Sequence, residues 1–384
     1  MKQSKIKIAL VCDWLCEAGG AEKVLLALHQ AFPDAPIYTS QYRPKRIDWF
    51  KGAKVKAGWI NILPRTLRKF IAPIRVVYFS NLDLSDYDVV ISVANAEAKG
   101  VKTGDKTVHI SYLQGPPVQY YWGLYDSYIE NPGFSKFNFL ARTGLRLLIK
   151  IMRKADFKAS KKPDYLVANS NYVATEIKKY YKRDSRVVFP PVAIDEIKNN
   201  KVTPTNPFSG QPFFIIAGRQ VNWKRFDLAV KACMKLQKNL LVIGDGSEHN
   251  SLVELAKKSK NIKFLPRYNG VKEIKSYFLA AEAMIFPSLE PFGIVAVEAL
   301  AAGLPLIALD HGGAKDIVNK DNGCFFENQT VDSLANVISK FKKSQFNKAK
   351  VSRSADQFKT DNFKANFKKL VKELCNDKSK KKSK

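Results

Sequence analysis

The sequence has few cysteines and few histidines, and it contains no long apolar run. Its five cysteines form neither a paired framework nor a CxxC zinc spacing, which favours a reducing compartment over secretion. No apolar run reaches the roughly 18 residues that are needed to cross a bilayer, and the amino terminus lacks the long apolar core of a signal peptide. We therefore expect a cytoplasmic protein that is not integral to a membrane.

Metal-binding patterns are also missing. The four histidines are scattered along the chain and make no HExxH or other metal spacing. Asp86 and Asp88 have a DxD spacing, which can hold a divalent metal. They precede a predicted strand, however, which places them at the amino edge of the sheet and away from the expected ligand site. We predict no metal site.

Acidic residues are scarce relative to basic ones. Lysine and arginine total 64 against 35 aspartate and glutamate, a formal net charge of +29. Such a charge suits nucleic acid, anionic lipid headgroups or a phosphorylated substrate, although a lysine-rich coding bias explains it equally well. Because no nucleic-acid motif accompanies the basic residues, we do not expect nucleic-acid binding.

Short apolar strands alternate with helical patterns along the whole chain, which predicts parallel sheets flanked by helices. The first half has six predicted strands, at residues 6–12, 36–39, 88–93, 108–112, 165–169 and 186–189. The second half has six more, at residues 213–217, 240–243, 262–265, 283–286, 305–308 and 324–325. The predicted fold class is α/β, with two Rossmann-like, doubly wound domains facing each other across a cleft.

The domain boundaries follow from changes in composition. Residues 199–212 are polar and rich in proline and asparagine, as linkers are. They separate a predicted N-terminal domain, residues 1–198, from a predicted C-terminal domain, residues 213–354. A final helix at 355–377 is expected to pack back on the first domain, and residues 378–384 form a basic tail that we expect to be disordered.

The most informative segment sets two carboxylates and a glycine around the start of one helix. Glu290 follows the predicted strand 283–286, and Glu298 lies about two turns into the helix. Between them, Gly293 has no Cβ, so a ligand can approach the backbone, and the first helical N–H groups are free to donate. This predicts a site for anions and hydroxyl groups at the carboxyl end of a strand. Two solvated glutamates on a surface helix are the alternative.

Two cations and a glycine pair complete the pattern. Arg219 leaves the carboxyl end of a strand and Lys224 begins a helix five residues later, so both can converge on the helix start described above. Each charge-assisted hydrogen bond to a phosphate contributes roughly 1.5 to 3 kcal/mol. Gly19 and Gly20 expose consecutive N–H groups at another strand-to-helix turn, which suits a diphosphate. A glycine pair in a tight turn is equally often structural.

Together these motifs resemble the retaining glycosyltransferases of GT-B fold, in the large family of bacterial mannosyl- and glucosyltransferases. Glu290 and Glu298 match the E-x7-E signature of that family, and residues 19–22 match its glycine loop. Gly218 and Arg219, with Lys224, match its diphosphate-binding pair. The resemblance covers nearly the whole chain and implies that residues 1–198 form the acceptor-binding domain and residues 213–354 the nucleotide-sugar-binding domain.

The resemblance implies transfer of a hexose, with mannose favoured, from a nucleotide-diphosphate sugar to a glycan or lipid-linked acceptor in cell-surface polysaccharide or glycolipid synthesis. It favours GDP-mannose over a UDP-sugar as donor and implies no metal or other cofactor. Glu298 would bind the ribose hydroxyls and Glu290 those of the transferred sugar, while the Gly293 amide contacts the sugar or phosphate. Arg219 and Lys224 would stabilise the departing diphosphate.

The chain departs from the family pattern on the acceptor side. Related subgroups carry histidines where Asn95 and Gln114 align, and an amide can donate to a sugar hydroxyl but cannot titrate. Tyr120, in a neighbouring aromatic run, can stack on a sugar ring or pack in the core. The alternatives are a UDP-sugar-dependent transferase of the same fold and a catalytically silent protein that binds nucleotide sugars.

Basic residues recur every four positions in one helical pattern, with apolar residues between them. On a helix this pattern places a basic stripe beside an apolar one, which predicts peripheral binding to anionic lipid on the inner face of the cell membrane. A solvated lysine face is the alternative. The stripe consists of Arg142, Arg146, Lys150, Lys154, Lys158 and Lys162, and Arg65, Arg68 and Lys69 on a first-domain loop can join it.

Overall fold

The fold is described here from a computed structural model of the chain, for residues 6–64, 71–94, 96–115, 122, 129, 138–268 and 270–382. Its contacts divide the chain into two compact units. The first unit combines Met1–Pro191 with Asp361–Lys384, and the second is Val192–Thr360.

The first unit is built on a parallel sheet of seven strands. Along the chain these are β1 Ile8–Cys12, β2 Ile37–Thr39, β3 Val55–Ala57, β4 Val89–Ala94, β5 Val108–Leu113, β6 Tyr165–Ala168 and β7 Arg186–Val187. They lie in the order β3-β2-β1-β4-β5-β6-β7. The described helices before β7 are α1 Gly20–Ala31, α2 Ala72–Asn81, α3 Asn138–Ser160 and α4 Asn171–Tyr181. Every residue of β4 and β5 is buried, as expected for strands covered on both faces.

All six strands predicted for the first half are present, and the structure adds β3. This strand has only three residues, none of them buried, and it lies at the edge of the sheet. A three-residue, exposed edge strand shows neither an apolar run nor an alternation that a sequence pattern can detect.

The second unit has six parallel strands. They are β8 Phe213–Ala217, β9 Asn239–Ile243, β10 Ile262–Leu265, β11 Met284–Phe286, β12 Leu306–Leu309 and β13 Gly323–Phe326, in the order β10-β9-β8-β11-β12-β13. Its described helices are α5 Ile194–Asn199, α6 Phe226–Lys235, α7 His249–Ala256, α8 Gly270–Ala280, α9 Ile294–Ala301, α10 Ala314–Ile317, α11 Val331–Lys340 and α12 Lys348–Ser354. The predicted fold class, two parallel α/β units, is confirmed.

The segment predicted as a linker is attached to the second unit. The boundary between the units falls at Pro191 and Val192, ahead of residues 199–212. Lys275 donates to the carbonyl oxygen of Asn200 at 2.5 Å. The amide of Thr205 donates to the carbonyl oxygen of Ser276, in α8, at 3.0 Å. Residues 199–212 therefore follow the surface of the second unit, although they form no strand or helix after the end of α5.

The last helix, α13 Thr360–Lys382, packs on the first sheet. The rings of Phe363 and Phe367 each lie with their centroids 5.9 Å from that of Tyr112 on β5. The structure differs from the disordered tail that we expected from Lys378, because α13 continues to Lys382. Lys378 Nζ lies 2.7 Å from Asp164 Oδ2, which fixes the beginning of that stretch to the sheet.

Candidate functional site

The predicted donor residues lie where the strand order of the second sheet changes direction. β8 and β11 are neighbours in the sheet, with Ile215 beside Met284, and the chain leaves them towards opposite edges. Gly218 and Arg219 follow β8, and Glu290 follows β11 by four residues. Because parallel strands end at the same edge, the two loops meet there, at the place where open α/β sheets bind ligands.

Glu290 and Lys224 are in direct contact at this edge. Lys224 Nζ lies 2.8 Å from Glu290 Oε1, and the two side chains are 13% and 11% exposed. The same carboxylate oxygen accepts a hydrogen bond from Ser288 Oγ at 2.9 Å. The site therefore presents a positioned ammonium group and a carboxylate whose second oxygen is not used by these two partners.

Arg219 and Gly218 lie beside this pair. The Arg219 side chain is exposed, so its guanidinium is accessible to a ligand. Gly218 has φ of +141°, and a Cβ at this position would lie 3.4 Å from Lys224 Nζ. The glycine thus allows both the turn and the path of the lysine side chain.

Gly293 begins α9 in a conformation that only glycine tolerates well. Its φ is +119°, and a Cβ would lie 2.6 Å from the ring of Phe286. Glu298 lies in the second turn of α9 and is half-buried. Burial raises the pKa of Tyr268, and the Glu298 carboxylate raises it further. The loop after β10 therefore brings an aromatic side chain close to Glu298.

Sequence reasoning missed the residues that support the Gly218 loop. Gly244 and Gly246 follow β9, and a Cβ on them would lie 2.0 Å and 2.1 Å from the carbonyl oxygens of Gly218 and Gln220. The side chain of Gln220 donates to the carbonyl of Gly244 at 2.6 Å and lies 2.8 Å from His249 Nδ1. The available signal was a Gly-Asp-Gly sequence directly after a strand.

Gly312 and Gly313, which follow β12, support the Glu290 loop in the same way. Gly313 N donates to the carbonyl oxygen of Glu290 at 2.8 Å. A Cβ at Gly312 would lie 2.8 Å from that oxygen. The loops after β8 and β11 therefore carry the site residues of the second unit, and the loops after β9 and β12 pack against them.

In the first unit, Gly19 and Gly20 lie at the start of α1, with Gly19 as its N-cap. Gln114 Nε2 donates to the carbonyl of Ala21 at 3.2 Å, and Asn169 Nδ2 donates to the Gln114 carbonyl at 2.7 Å. Gln114 thus connects the glycine turn to the carboxyl ends of β5 and β6. Asn95 and Tyr120 lie outside the described residues.

The switch point of the first sheet, between β1 and β4, holds a buried polar network. Asp13, directly after β1, accepts hydrogen bonds from the amides of Ala96 at 2.9 Å and Ala98 at 2.7 Å. Glu97 lies between these two residues, and Arg75 Nε donates to its carboxylate at 2.9 Å. The Asp13 carboxylate and the ion pair between Arg75 and Glu97 therefore fix the loop at residues 96–98.

In the described part of the chain, neither the DxD pair nor another cluster of side chains has an arrangement that could hold a metal ion. Asp88 Oδ2 accepts a hydrogen bond from the amide of Lys7 at 2.8 Å, at the amino ends of β1 and β4, as its sequence position predicts. Across those same residues, no group of three or more histidine, cysteine or acidic side chains is arranged to hold a metal ion.

The predicted amphipathic helix is α3, but its apolar residues divide into two sets. Ile149 and Met152 are buried and pack against Ala72 and Val76 of α2. A second set remains on the surface: Phe139, Leu140, Leu147, Leu148 and Ile151 are each at least 45% exposed. None of the described helices is long and apolar enough to span a bilayer.

Comparison with known proteins gives the class of the fold. Residues 198–358 match the family model of glycosyl transferases group 1. The structure superimposes on that of HepE from Anabaena, solved with UDP, with a TM-score of 0.67 and 18% identity over 96% of this chain and 100% of that one. The chain thus has the GT-B fold, and its second unit matches the glycosyl transferases group 1 family.

Curated relatives align over shorter stretches. A glycosyltransferase of Methanocaldococcus jannaschii is 29% identical over 134 residues, 33% of this chain and 34% of that protein. A GDP-mannose-dependent monoacylated alpha-(1-6)-phosphatidylinositol monomannoside mannosyltransferase of Corynebacterium glutamicum is 33% identical over 108 residues, 26% of this chain and 28% of that protein. The chain therefore spans about a third of the length of these relatives.

Proposed function

We propose that the chain is a retaining, metal-independent hexosyltransferase that moves mannose from GDP-mannose to a glycan or lipid-linked acceptor of the cell surface. The observation that carries this proposal is the 2.8 Å contact between Lys224 and Glu290, at the carboxyl ends of adjacent strands β8 and β11. A cation for a phosphate and a carboxylate for sugar hydroxyls are the two groups that a nucleotide-sugar donor needs.

The diphosphate of the donor is assigned to Lys224 and Arg219. As the bond between sugar and phosphate breaks, negative charge develops on the leaving phosphate, and cations already in place stabilise that charge without rearrangement. The exposed Arg219 adds a planar guanidinium that can bind two phosphate oxygens. The backbone amide of Gly293, at the start of α9, is assigned to the sugar or phosphate.

Glu290 and Glu298 are assigned to hydroxyl groups. Glu290 keeps one carboxylate oxygen on Lys224 and Ser288, and the other can accept from a hydroxyl of the transferred sugar. Glu298, further along α9, would accept hydrogen bonds from the ribose hydroxyls. This role as acceptor suits a front-face displacement with retention, in which the leaving phosphate takes the proton of the acceptor hydroxyl.

Mannose as the transferred sugar has support from relatives that are mannosyltransferases by name and not from the fold. The C. glutamicum protein uses GDP-mannose according to its name, whereas the HepE structure contains UDP. The mannosyltransferase is 33% identical over 108 residues, whereas HepE is 18% identical over 96% of this chain. We therefore favour GDP-mannose over a UDP-sugar as the donor.

The surface of α3 supports transfer at an anionic membrane surface, on the cytoplasmic side. Arg146, Lys150 and Lys154 share the exposed side of the helix with Leu147 and Ile151, which are 73% and 64% exposed. Apolar side chains beside cations are typical of helices that lie in the interface of anionic bilayers.

A thermal-shift screen tests the donor. A ligand that binds only the native state raises the melting temperature with its affinity and concentration. We expect GDP and GDP-mannose to raise it more than UDP and UDP-glucose at equal concentration, and GDP-mannose to be turned over when a lipid or glycan acceptor is added. A larger shift with UDP-glucose would indicate a UDP-sugar as the donor instead of GDP-mannose. Binding without turnover on any acceptor would indicate a protein that binds nucleotide sugars without catalysis.

A further inference from the structure

The first unit contains a cavity that the proposed donor chemistry does not use. It has a volume of about 360 Å³ and lies between α2, α3 and the loop after β4. Small-molecule sites typically measure ~300 to 1,000 Å³, so the cavity is large enough for a headgroup or part of a chain. Its lining includes Val76, Glu97, Met152, Ala155, Lys158 and Lys162.

The acidic side chains at this cavity already have partners. Glu97 binds Arg75 through two contacts, at 2.9 Å and 3.4 Å. Asp156, which also lines the cavity, lies 2.6 Å from Lys99 Nζ and accepts a hydrogen bond from Tyr181 at 2.8 Å. Each carboxylate is therefore neutralised by a buried cation on the protein side, and the walls do not repel an anion.

The two lysines at the cavity, by contrast, face other cations. Burial lowers the pKa of Lys162, and the ammonium groups of Lys102 and Lys158 lower it further. Lys162 donates to the carbonyl oxygen of Gly100 at 2.5 Å. Among the residues that the structure describes, neither Lys158 nor Lys162 forms an ion pair with a carboxylate. An anion placed between them would relieve this repulsion between like charges.

Apolar side chains line part of the cavity and are also exposed on the helices that form it. Met152 and Ala155 line it from α3 and Val76 lines it from α2. On the same helices, Leu148 is 45% exposed and Val77 is 54% exposed. An apolar wall and two cations in one lining match a molecule that has both an acyl chain and a phosphate.

We propose that this cavity binds one anionic phospholipid, with its phosphate on Lys158 and Lys162 and the start of an acyl chain against Met152 and Ala155. The inference rests on the proposed function in one respect, that transfer takes place at a membrane. It goes further because it assigns a discrete lipid site, in a cavity lined by Ala96, the residue that follows the acceptor-side candidate Asn95 in the sequence.

The test uses the full-length protein and a phospholipid that stays monomeric in solution. Dihexanoyl phosphatidylglycerol, below its micelle concentration, is titrated by calorimetry against wild type and two cavity variants. Lys158→Gln with Lys162→Gln removes the cations, and Ala155→Leu fills the cavity without changing the charge. Lys368→Gln with Lys372→Gln is the matched control, because it removes two exposed cations, also four positions apart on one helix, from α13 and outside the cavity.

We expect saturable binding of one lipid by wild type and by the control. The lysine variant should bind at least about tenfold more weakly, because a hydrogen bond to a charged group contributes that much or more. Ala155→Leu should also lose binding, and its melting temperature shows whether the fold is intact. Equal loss in the cavity and control pairs, or wild-type binding by folded Ala155→Leu, would overturn the proposal.

Two further measurements distinguish the lipid from other sources of phosphate, and the lipid site from the proposed function. Inorganic phosphate and glycerol 3-phosphate should bind far more weakly than the lipid, and equal affinity would show a simple phosphate site instead. The thermal shift produced by GDP-mannose should be the same in all variants. If the donor produces no shift in any protein while the lipid still binds, the proposed function fails and the lipid site stands.

Discussion

Replacing Lys224 by methionine is the sharpest perturbation of the donor site. The change removes the ammonium group 2.8 Å from Glu290 Oε1 and keeps a side chain of similar length. Breaking a fully buried ion pair by removing one partner costs ~3 to 5 kcal/mol. Because the two side chains are still 13% and 11% exposed and Ser288 keeps its hydrogen bond to Glu290, we expect a loss of stability near the lower end, about 3 kcal/mol.

The larger effect of Lys224→Met is expected on the reaction. Loss of one charge-assisted hydrogen bond to the diphosphate should weaken GDP binding by ~1.5 to 3 kcal/mol, about tenfold or more. Charge on the phosphate increases as the bond breaks, so kcat should fall further, by ~10² to 10³. Calorimetry with GDP and a steady-state assay of GDP release separate the two effects.

Lys231→Met is the matched control for this prediction. Lys231 lies on α6 with a side chain that is 46% exposed, 3.4 Å from Asp227, and a surface pair of this kind contributes ~0 to 1 kcal/mol. We expect nearly unchanged stability, GDP affinity and kcat. If Lys224→Met is folded and binds GDP and turns over like Lys231→Met, the assignment of Lys224 to the leaving diphosphate is refuted.

Three further predictions concern the frame of the two units. Gly293→Ala should lower the melting temperature and abolish the thermal shift with GDP, because φ is +119° at this position and a ring atom of Phe286 would lie 2.6 Å from the new Cβ. Gly210→Ala is the control: φ is +85° there but the surrounding space is open, so the free energy of unfolding should fall by only about 1 kcal/mol. Equal effects would contradict the steric argument. Phe367→Ala should cost ~3 to 5 kcal/mol in urea unfolding, because the ring is fully buried under the first sheet, and the exposed Asn366→Ala should cost little. Burial lowers the pKa of His109 to about 3, so the unfolded chain takes up its proton first as the pH falls below ~6.5, and this group should remove about 2 kcal/mol of stability between pH 7 and 5; a His109→Gln variant with the same pH dependence as wild type would rule this out.

The strands were predictable from sequence because parallel strands buried on both faces are continuous apolar runs. Val89–Ala94 is an example, with every residue buried. The proximity of Lys224 and Glu290 also follows from the order of elements, since both residues come after strands that end at one edge of the sheet. The exposed strand at Val55–Ala57 has no such pattern and was missed.

The supports of the site were not predictable in the same way. The contact of Gly244 with the carbonyl of Gly218 joins two turns that are 26 positions apart, and neither turn has a periodic pattern. The surface of α3 shows a second limit. The predicted apolar stripe includes Leu148 and Ile149, whereas in the structure Ile149 is buried against α2 and Leu148 is 45% exposed, because a neighbouring helix determines which apolar residues are covered.

A crystal structure of the protein with GDP-mannose tests the central claim most directly. We predict that the diphosphate lies within hydrogen-bonding distance of Lys224 Nζ and the Arg219 guanidinium. The mannose hydroxyls should contact Glu290, and the ribose should contact Glu298. A donor bound elsewhere, or a diphosphate that contacts neither Lys224 nor Arg219, would contradict the account.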